Sequence, residues 1–516
     1  MPTLKEINFG DVDAKNEILK QNRVGERDFF DSYFIPEKIE ISDYLNGTKF
    51  FVLGLKGTGK TALLRFMHDK VDGEKCISEL ILFKSHITEE DRQKLSKGAG
   101  FEIVSVDNVP SFIQDFKESW KWLIYQKIAS KLYIANLDDR NAIKLFSLTG
   151  VKENKVTSTL GALFSKISSG NLKFSGEALG VAIELGIGIE SDKSSGEVSL
   201  SSVNRACASL LNQIDLKTPL YLFFDELELF FQTQDQFDRD RRIIRDLVYS
   251  ISSINADSAE NGRKLYLISS LRTEVLHSVL ELGHEIGRDI DDFGDRLDWS
   301  NGKSSKDHPL LKLIGKKISA SCGLDASIVW STLFPEKINN KEYYRFILES
   351  SYYRPRDIVR LLKVARDYNK NAEKFTTAHF DETSSEYSKQ TWLEITEELL
   401  ASYSVDEISA MQRIFLGYVT HFFKDDLLDR AKTRYKADRG VTNLLESKGI
   451  GVILSDLYRI GVIGNDFMVR DRRGEFLNRQ RWIFRGNPIL NDSERMAFHK
   501  SLWKHLTLAE GMMNKH

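Results

Sequence analysis

The sequence predicts an α/β fold: a parallel-sheet core that carries an insertion and is followed by two further units. Three observations predict it. The apolar run KFFVLG at 49–54 leads into the glycine-rich stretch GLKGTGKTALL, after which Leu63, Leu64, Met67 and Val71 recur at the spacing of a helix face. A second apolar run, Leu220 to Phe224, ends abruptly at Asp225-Glu226, as a fully buried parallel strand does. From about residue 305 helical periodicity takes over, and an arginine-rich hairpin pattern closes the chain.

Composition narrows the class. A length of 516 residues suits about three or four domains, and 41 % hydrophobic with 29 % charged residues excludes wholesale disorder. Only 8 prolines are present, which suits helix-rich units. Cys76, Cys207 and Cys322 are scattered, giving neither a disulfide framework nor a zinc pattern, so a reducing compartment is expected. The most apolar stretch, ALGVAIELGIGIE, is short and interrupted by Glu184, so no membrane span is expected. The opening residues MPTLKEINFGDVDAKNE contain acids and no apolar signal core, and a cytoplasmic location is the expectation. Net charge is −2, yet Met411 to His516 holds 19 Lys+Arg against 12 Asp+Glu, a hint of an anionic partner.

Taken in order, residues 1–45 read as an N-terminal lead-in, with a helix capped by Asp11 or Asp13. The sheet core is expected over 46–304, with strands at 48–53, ELILFK and FEIVSV, and a long amphipathic helix opened by Ser111. An insertion falls at about 140–205, where Val181, Ile183, Leu185, Ile187 and Ile189 alternate with small or acidic residues. That period of two predicts a strand, with GEVSL returning as its hairpin partner. A helical lid follows over 305–395 and a winged-helix-like domain over 396–516.

The glycine stretch carries the first chemistry. Gly54, Gly57 and Gly59 let the backbone wrap closely, so that N–H groups of Gly57, Thr58, Gly59, Lys60, Thr61 and Ala62 face phosphate oxygens. The helix that starts near Lys60 adds its positive end. Lys60 is expected to reach the β- and γ-phosphates, and Thr61 to offer its hydroxyl to Mg²⁺. GxxxxGK[ST] between a strand and a helix is a phosphate-binding loop, so this stretch is expected to be a nucleotide site.

Its complement is expected at the second strand end, where α/β ligand sites lie. Asp225 is the metal candidate, and Glu226 the residue that orients or deprotonates water; the plain alternative is a polar strand end. A glutamate directly after the aspartate favours the ATPase division with an extra strand between loop strand and metal strand, and no guanine-reading motif is seen, so ATP and Mg²⁺ are the expected ligands. The strand in RKLYLISSLRTEVL ends with Ser270 and Arg272, which are γ-phosphate sensor candidates or a simple turn. In SYYRPRDIVRLL, Pro355 opens a helix whose Arg354 and Arg356 reach phosphates or pair with carboxylates; Arg356 is the favoured reporter to the lid.

FGDVDAKNE, FVLGLKGTGKTALL, LFFDELELF, RRIIRDLVYSISSIN and YYRPRDIVRLL, in this order, resemble a bacterial P-loop ATPase family related to the AAA+ and STAND groups. The likeness covers roughly 8–370. It implies a P-loop NTPase core, a helical lid and often a winged helix, raises Arg272 as a sensor, and brings an association of some relatives with anti-phage defence. The spacing of about 165 residues between Lys60 and Asp225 departs from a minimal core, and a trans-acting arginine is not identifiable, with Arg288 and Arg296 no more than candidates.

The C-terminal unit is expected to place helices at about 441–447 and 450–460 before a hairpin with RRGE at its tip. Arg470, Arg472, Arg473, Arg479, Arg481 and Arg485 populate that hairpin; they contact DNA phosphates or pair with acids of the core. The leading expectation is an ATP-hydrolysing switch whose output is self-association or a separate effector protein. The alternative is an ATP-controlled DNA-binding protein.

Overall fold

The computed structural model describes the chain apart from residues 1, 26, 107–108, 152–166, 169, 175, 188–196, 230–232, 281, 283–285, 301–303, 401, 471–472, 488 and 513–516. Five strands, β1 (Phe51–Gly54), β2 (Ile77–Leu82), β3 (Leu220–Asp225), β4 (Leu265–Arg272) and β5 (Gly294–Arg296), form one sheet in the order β5-β1-β4-β3-β2. Every pairing in it is parallel. All six residues of β3 are buried, because helices cover both faces, and this is why its sequence runs apolar without alternation. The register sets Gly54 beside Arg272 and Leu82 beside Asp225. The carboxyl ends of β1, β3 and β4 therefore open on one edge of the sheet.

Helix α1 (Ala14–Val24) starts at Asp13, whose carboxylate accepts from Lys15 N at 2.9 Å. Helix α2 (Lys60–Gly73) follows the glycine loop and buries Leu63, Leu64, Met67 and Val71 against the sheet. Helices α3 (Lys117–Ile134) and α4 (Gln234–Glu260) pack on one another; α4 buries Ile243, Ile244, Leu247, Val248, Ile251 and Ile254. At about 25 cal/mol per Å² of apolar surface, each such side chain contributes roughly 1.5–3 kcal/mol.

The C-terminal region is helical and holds a second sheet. Its helices include α5 (Pro309–Cys322), α6 (Pro355–Tyr368), α7 (Ser384–Leu399), α8 (Arg439–Ser447) and α9 (Ile450–Arg459). Strands β6 (Val419–Phe422), β7 (Ile463–Arg470), β8 (Phe476–Arg481), β9 (Met496–Phe498) and β10 (Ala509–Met512) pair in the order β8-β7-β9-β6-β10. One hydrophobic core spans Ile39 to Leu297; the other joins Leu4, Ile7 and Phe9 to the helices and sheet beyond Trp299. Leu4 N donates to Ala372 O and Lys5 N to Lys370 O, both at 2.8 Å. The N-terminal segment is thus anchored on the second core, and α1 carries it across to the first.

Two expected elements are corrected. Residues 176–184 form a helix, Gly176–Glu184, not a strand. The alternation was real, but Ala178, Val181, Ala182 and Leu185 also make a helix stripe, and Ala178 and Ala182 are the buried members while Ile183 stays 57 % exposed. The end of the expected strand, Ile189, lies outside the described residues. The GEVSL segment supplies Glu197–Ser199, which pairs with Asn171–Lys173 instead. Likewise, the helix expected from Ser111 begins only at Lys117, because Val109–Asp115 is drawn into an antiparallel ladder with Gly100–Val106.

Candidate functional site

A cavity of about 530 Å³ opens at the carboxyl edge of the sheet. Gly57, Thr58, Gly59, Lys60, Thr61, Ala62, Asp225, Glu226, Ser270, Arg272 and Arg356 all line it, and Tyr33, Phe34, Trp299 and Leu313 form its apolar end. Gly54 stands just behind the wall, where a Cβ would come within 2.6 Å of Thr58 Oγ1. Arg288 and Arg296 are not among the lining residues.

The loop between β1 and α2 is shaped by glycine and then tethered. Gly57 and Gly59 take φ of 81° and 100°, values that a side chain disfavours. A Cβ on Gly57 would also stand 3.2 Å from that of Arg356. Arg354 Nη1 donates to Lys56 O at 3.0 Å, Trp299 Nε1 to Thr58 O at 2.8 Å, and Thr58 Oγ1 to Leu55 O at 2.9 Å. These bonds fix the carbonyls outward. No side chain caps α2, so its first N–H groups remain available to an anion at the positive helix end.

Lys60 is 8 % exposed and donates to Gly54 O at 2.8 Å and Leu55 O at 2.9 Å. Burial lowers its pKa to about 8, since the charged form loses hydration that two carbonyls replace only in part. The ammonium is held on its own loop, within reach of the cavity.

Opposite the loop, Ser270 donates to Asp225 Oδ1. Asp225 Oδ2 is buried and has no hydrogen-bond partner. Glu226 adopts φ of 61°, an unusual conformation for a residue with a side chain, which turns the chain at the end of β3. Its carboxylate accepts from Lys15 Nζ at 3.0 Å and Ser85 Oγ at 2.6 Å. Burial pushes the Glu226 pKa up, but the contacts from Ser85 and Lys15 more than offset it and hold the carboxyl below its usual range.

The two arginine candidates both line the cavity and both have carboxylate partners. Arg272 pairs with Glu228 and lies 3.9 Å from Glu274. Arg356 donates to Glu394 Oε1 at 2.8 Å and to Val12 O at 3.0 Å. Burial would raise Glu394, yet Arg356 and Arg360 hold it far below the usual carboxylate range, whereas burial carries nearby Glu398 up to about 7 against the pull of Arg354. One turn of α7 therefore presents two carboxyls, shifted in opposite directions, to the same arginine cluster.

Reading the sequence did not single out Lys15, Ser85, Trp299 or Glu394. Lys15 sits inside FGDVDAKNE, but only the fold brings it to Glu226. Of the C-terminal arginines, Arg485 turns toward the helical region, donating to Tyr353 OH at 2.6 Å; Arg472 lies outside the described residues.

Residues 308–396 match a family described as the FunZ-associated C-terminal helical domain; the match runs from α5 through α7 and contains Arg354, Arg356 and Glu394. No curated protein matches the chain. Among the described residues, no helix is long and apolar enough to cross a membrane.

Proposed function

We propose that the chain binds ATP with Mg²⁺ in this cavity and hydrolyses it as a molecular switch. The observation that carries the reading is the convergence of loop, Asp225 and Glu226 on one cavity edge, with β4 standing between β1 and β3. That strand order is the one expected of the P-loop ATPase division with an inserted strand, AAA+ and STAND-like proteins among them. In this reading the N–H groups of Gly57 to Ala62 bind the phosphates, and Lys60 leaves the Gly54 and Leu55 carbonyls for the β- and γ-phosphates.

The residues fit a divalent cation. A buried carboxylate oxygen without a partner is costly by about 1–3 kcal/mol, and Asp225 Oδ2 is such an atom, with the Thr61 hydroxyl lining the same cavity. Thr61 and Asp225 would hold Mg²⁺, which when bound neutralises charge on the phosphates. Glu226 orients the attacking water and takes its proton. Arg272 and Arg356 exchange a carboxylate for the γ-phosphate, so that hydrolysis is felt at Glu394 on α7. The output is self-association or engagement of a separate effector protein, and the sequence resemblance supports reading that output as part of bacterial anti-phage defence.

The test is ATP binding and phosphate release by the purified chain beside Lys60→Ala and Glu226→Gln. Lys60→Ala is expected to abolish both activities, and Glu226→Gln to abolish release while ATP still binds. Release that persists in Glu226→Gln would remove Glu226 from the proposed role.

A further inference from the structure

The β7–β8 hairpin is rooted in the second core at Ile463, and its outer half projects away from it; none of its residues lines the cavity. Its register pairs Arg470 with Phe476, Met468 with Asn478, Phe467 with Arg479 and Asn465 with Arg481. Alternation then puts Met468, Arg470, Phe476 and Asn478 on one face, and Phe467, Arg479 and Arg481 on the other. Phe476 and Met468 are 59 % and 54 % exposed, and β8 is exposed along almost its whole length at the edge of its sheet.

Charge on this ribbon is net positive. From Val469 to Arg481 the sequence holds five arginines against Asp471 and Glu475. Asp466, at the root of the hairpin, is buried and neutralised by Arg495. The Arg470 guanidinium lies 4.7 Å over the Phe476 ring, and that of Arg481 lies 4.4 Å over Phe467. Such stacking orients a guanidinium and leaves the Arg470 donors to a further acceptor; Arg481 also faces Glu494 at 3.6 Å, a partly exposed pair that a phosphate would replace. A strand that pairs with another protein's edge is not built this way, since repeated arginines on an edge oppose pairing.

We infer that the β7–β8 hairpin is a nucleic-acid-binding ribbon that grips duplex DNA through its phosphate backbone. A two-stranded ribbon fits the major groove. With six residues, β8 reaches about 20 Å, enough for Arg470, Arg479 and Arg481 to meet phosphates on both sides. Phosphate contacts carry no sequence information, so binding is insensitive to sequence and sensitive to salt. This surface is independent of the ATP reading.

The test uses the full chain, without nucleotide, and a fluorescein-labelled mixed-sequence duplex of about 24 base pairs, a length that exceeds the ribbon. Anisotropy is followed between 50 and 200 mM NaCl, the span over which phosphate contacts are lost steeply, on the order of 0.9 log units per contact per decade. Three arginine contacts give a slope of about −3. Arg470→Ala/Arg479→Ala is expected to reduce the slope to about −1 and weaken binding at the lowest salt at least about tenfold, with unchanged circular dichroism. Arg345→Ala, an exposed control on the helical region, leaves binding unchanged. Arg470→Gln/Arg479→Gln replaces the alanine pair if that variant misfolds. Absence of binding at the lowest salt, binding untouched by the paired substitution, or tighter binding of the single strand would each overturn the inference.

Discussion

Lys15 Nζ lies 3.0 Å from Glu226 Oε1, joining the N-terminal helix to the end of β3. Ser85, just beyond β2, holds the other oxygen at 2.6 Å. A carboxylate given two donors is a weaker base than a free one, and its pKa is correspondingly low. In the structure as found, the residue assigned to the attacking water is therefore restrained.

Lys15→Met should release that restraint. Losing that stabilisation lets the Glu226 pKa rise and makes it a stronger base, and basal turnover is expected to rise about threefold. ATP affinity is measured beside turnover, because Lys15, besides contacting Glu226 and Ser85, lines the cavity. Steady-state phosphate release of the wild type, Lys15→Met and Ser85→Ala decides it. A fall in turnover would mean that Lys15 positions Glu226 and does not restrain it.

In the proposed ATP site, the buried Lys60 should make binding depend on pH. Its folded-state pKa of about 8 lies below the usual lysine value, so part of the population is neutral at pH 8 and most is neutral above it. Phosphate binds the charged form and draws a proton onto the amine. ATP affinity is expected to fall as pH rises through 8, and binding at pH 8 to take up protons. Calorimetry in two buffers of different ionisation enthalpy measures that uptake, and Glu226→Gln, which leaves the loop intact, should show the same uptake.

Asp225 separates stability from function. Its Oδ2 has no partner and its Oδ1 is already bonded by Ser270. Asp225→Asn removes a buried charge while keeping the Ser270 contact, so the ligand-free chain should keep its melting temperature or gain about 2 °C. The further rise in melting temperature caused by ATP with Mg²⁺ over ATP alone should vanish. A large destabilisation without ligand would show that the carboxylate is needed to hold the β3 and β4 ends together.

The strand ends were the legible part of the site. Gly54, Asp225 and Arg272 each close an apolar run, and a buried parallel strand shows such runs without any knowledge of its neighbours. The closing contacts were not legible. Lys15 meets Glu226 across 211 positions and Lys56 meets Glu397 across 341, and nothing local records which lysine will face which acid. Periodicity misled where small residues made two periods fit, as at Ala178 and Ala182 in Gly176–Glu184. It also misled at Ser111, where a hairpin with the strand directly before it overrode a good helical start.

The remaining prediction concerns Tyr353, which adopts φ of 50° immediately before the arginine that holds the loop. Arg485 Nη2 donates to its hydroxyl at 2.6 Å, and that hydroxyl also lies 2.9 Å from Ser304 Oγ. One residue on, Arg354 Nη1 donates to Lys56 O at 3.0 Å. The base of the arginine hairpin is thereby two side chains from the glycine loop. Tyr353→Phe deletes the acceptor and costs about 1 kcal/mol; Arg485→Ala deletes the donor. Each is expected to weaken ATP binding about threefold, and the double variant to lose no more than either single, because both remove one link. ATP titration of the two singles and the double measures the coupling. Losses that multiply would show that Arg485 and Tyr353 act on the loop separately, and that the hairpin does not communicate with it through this bond.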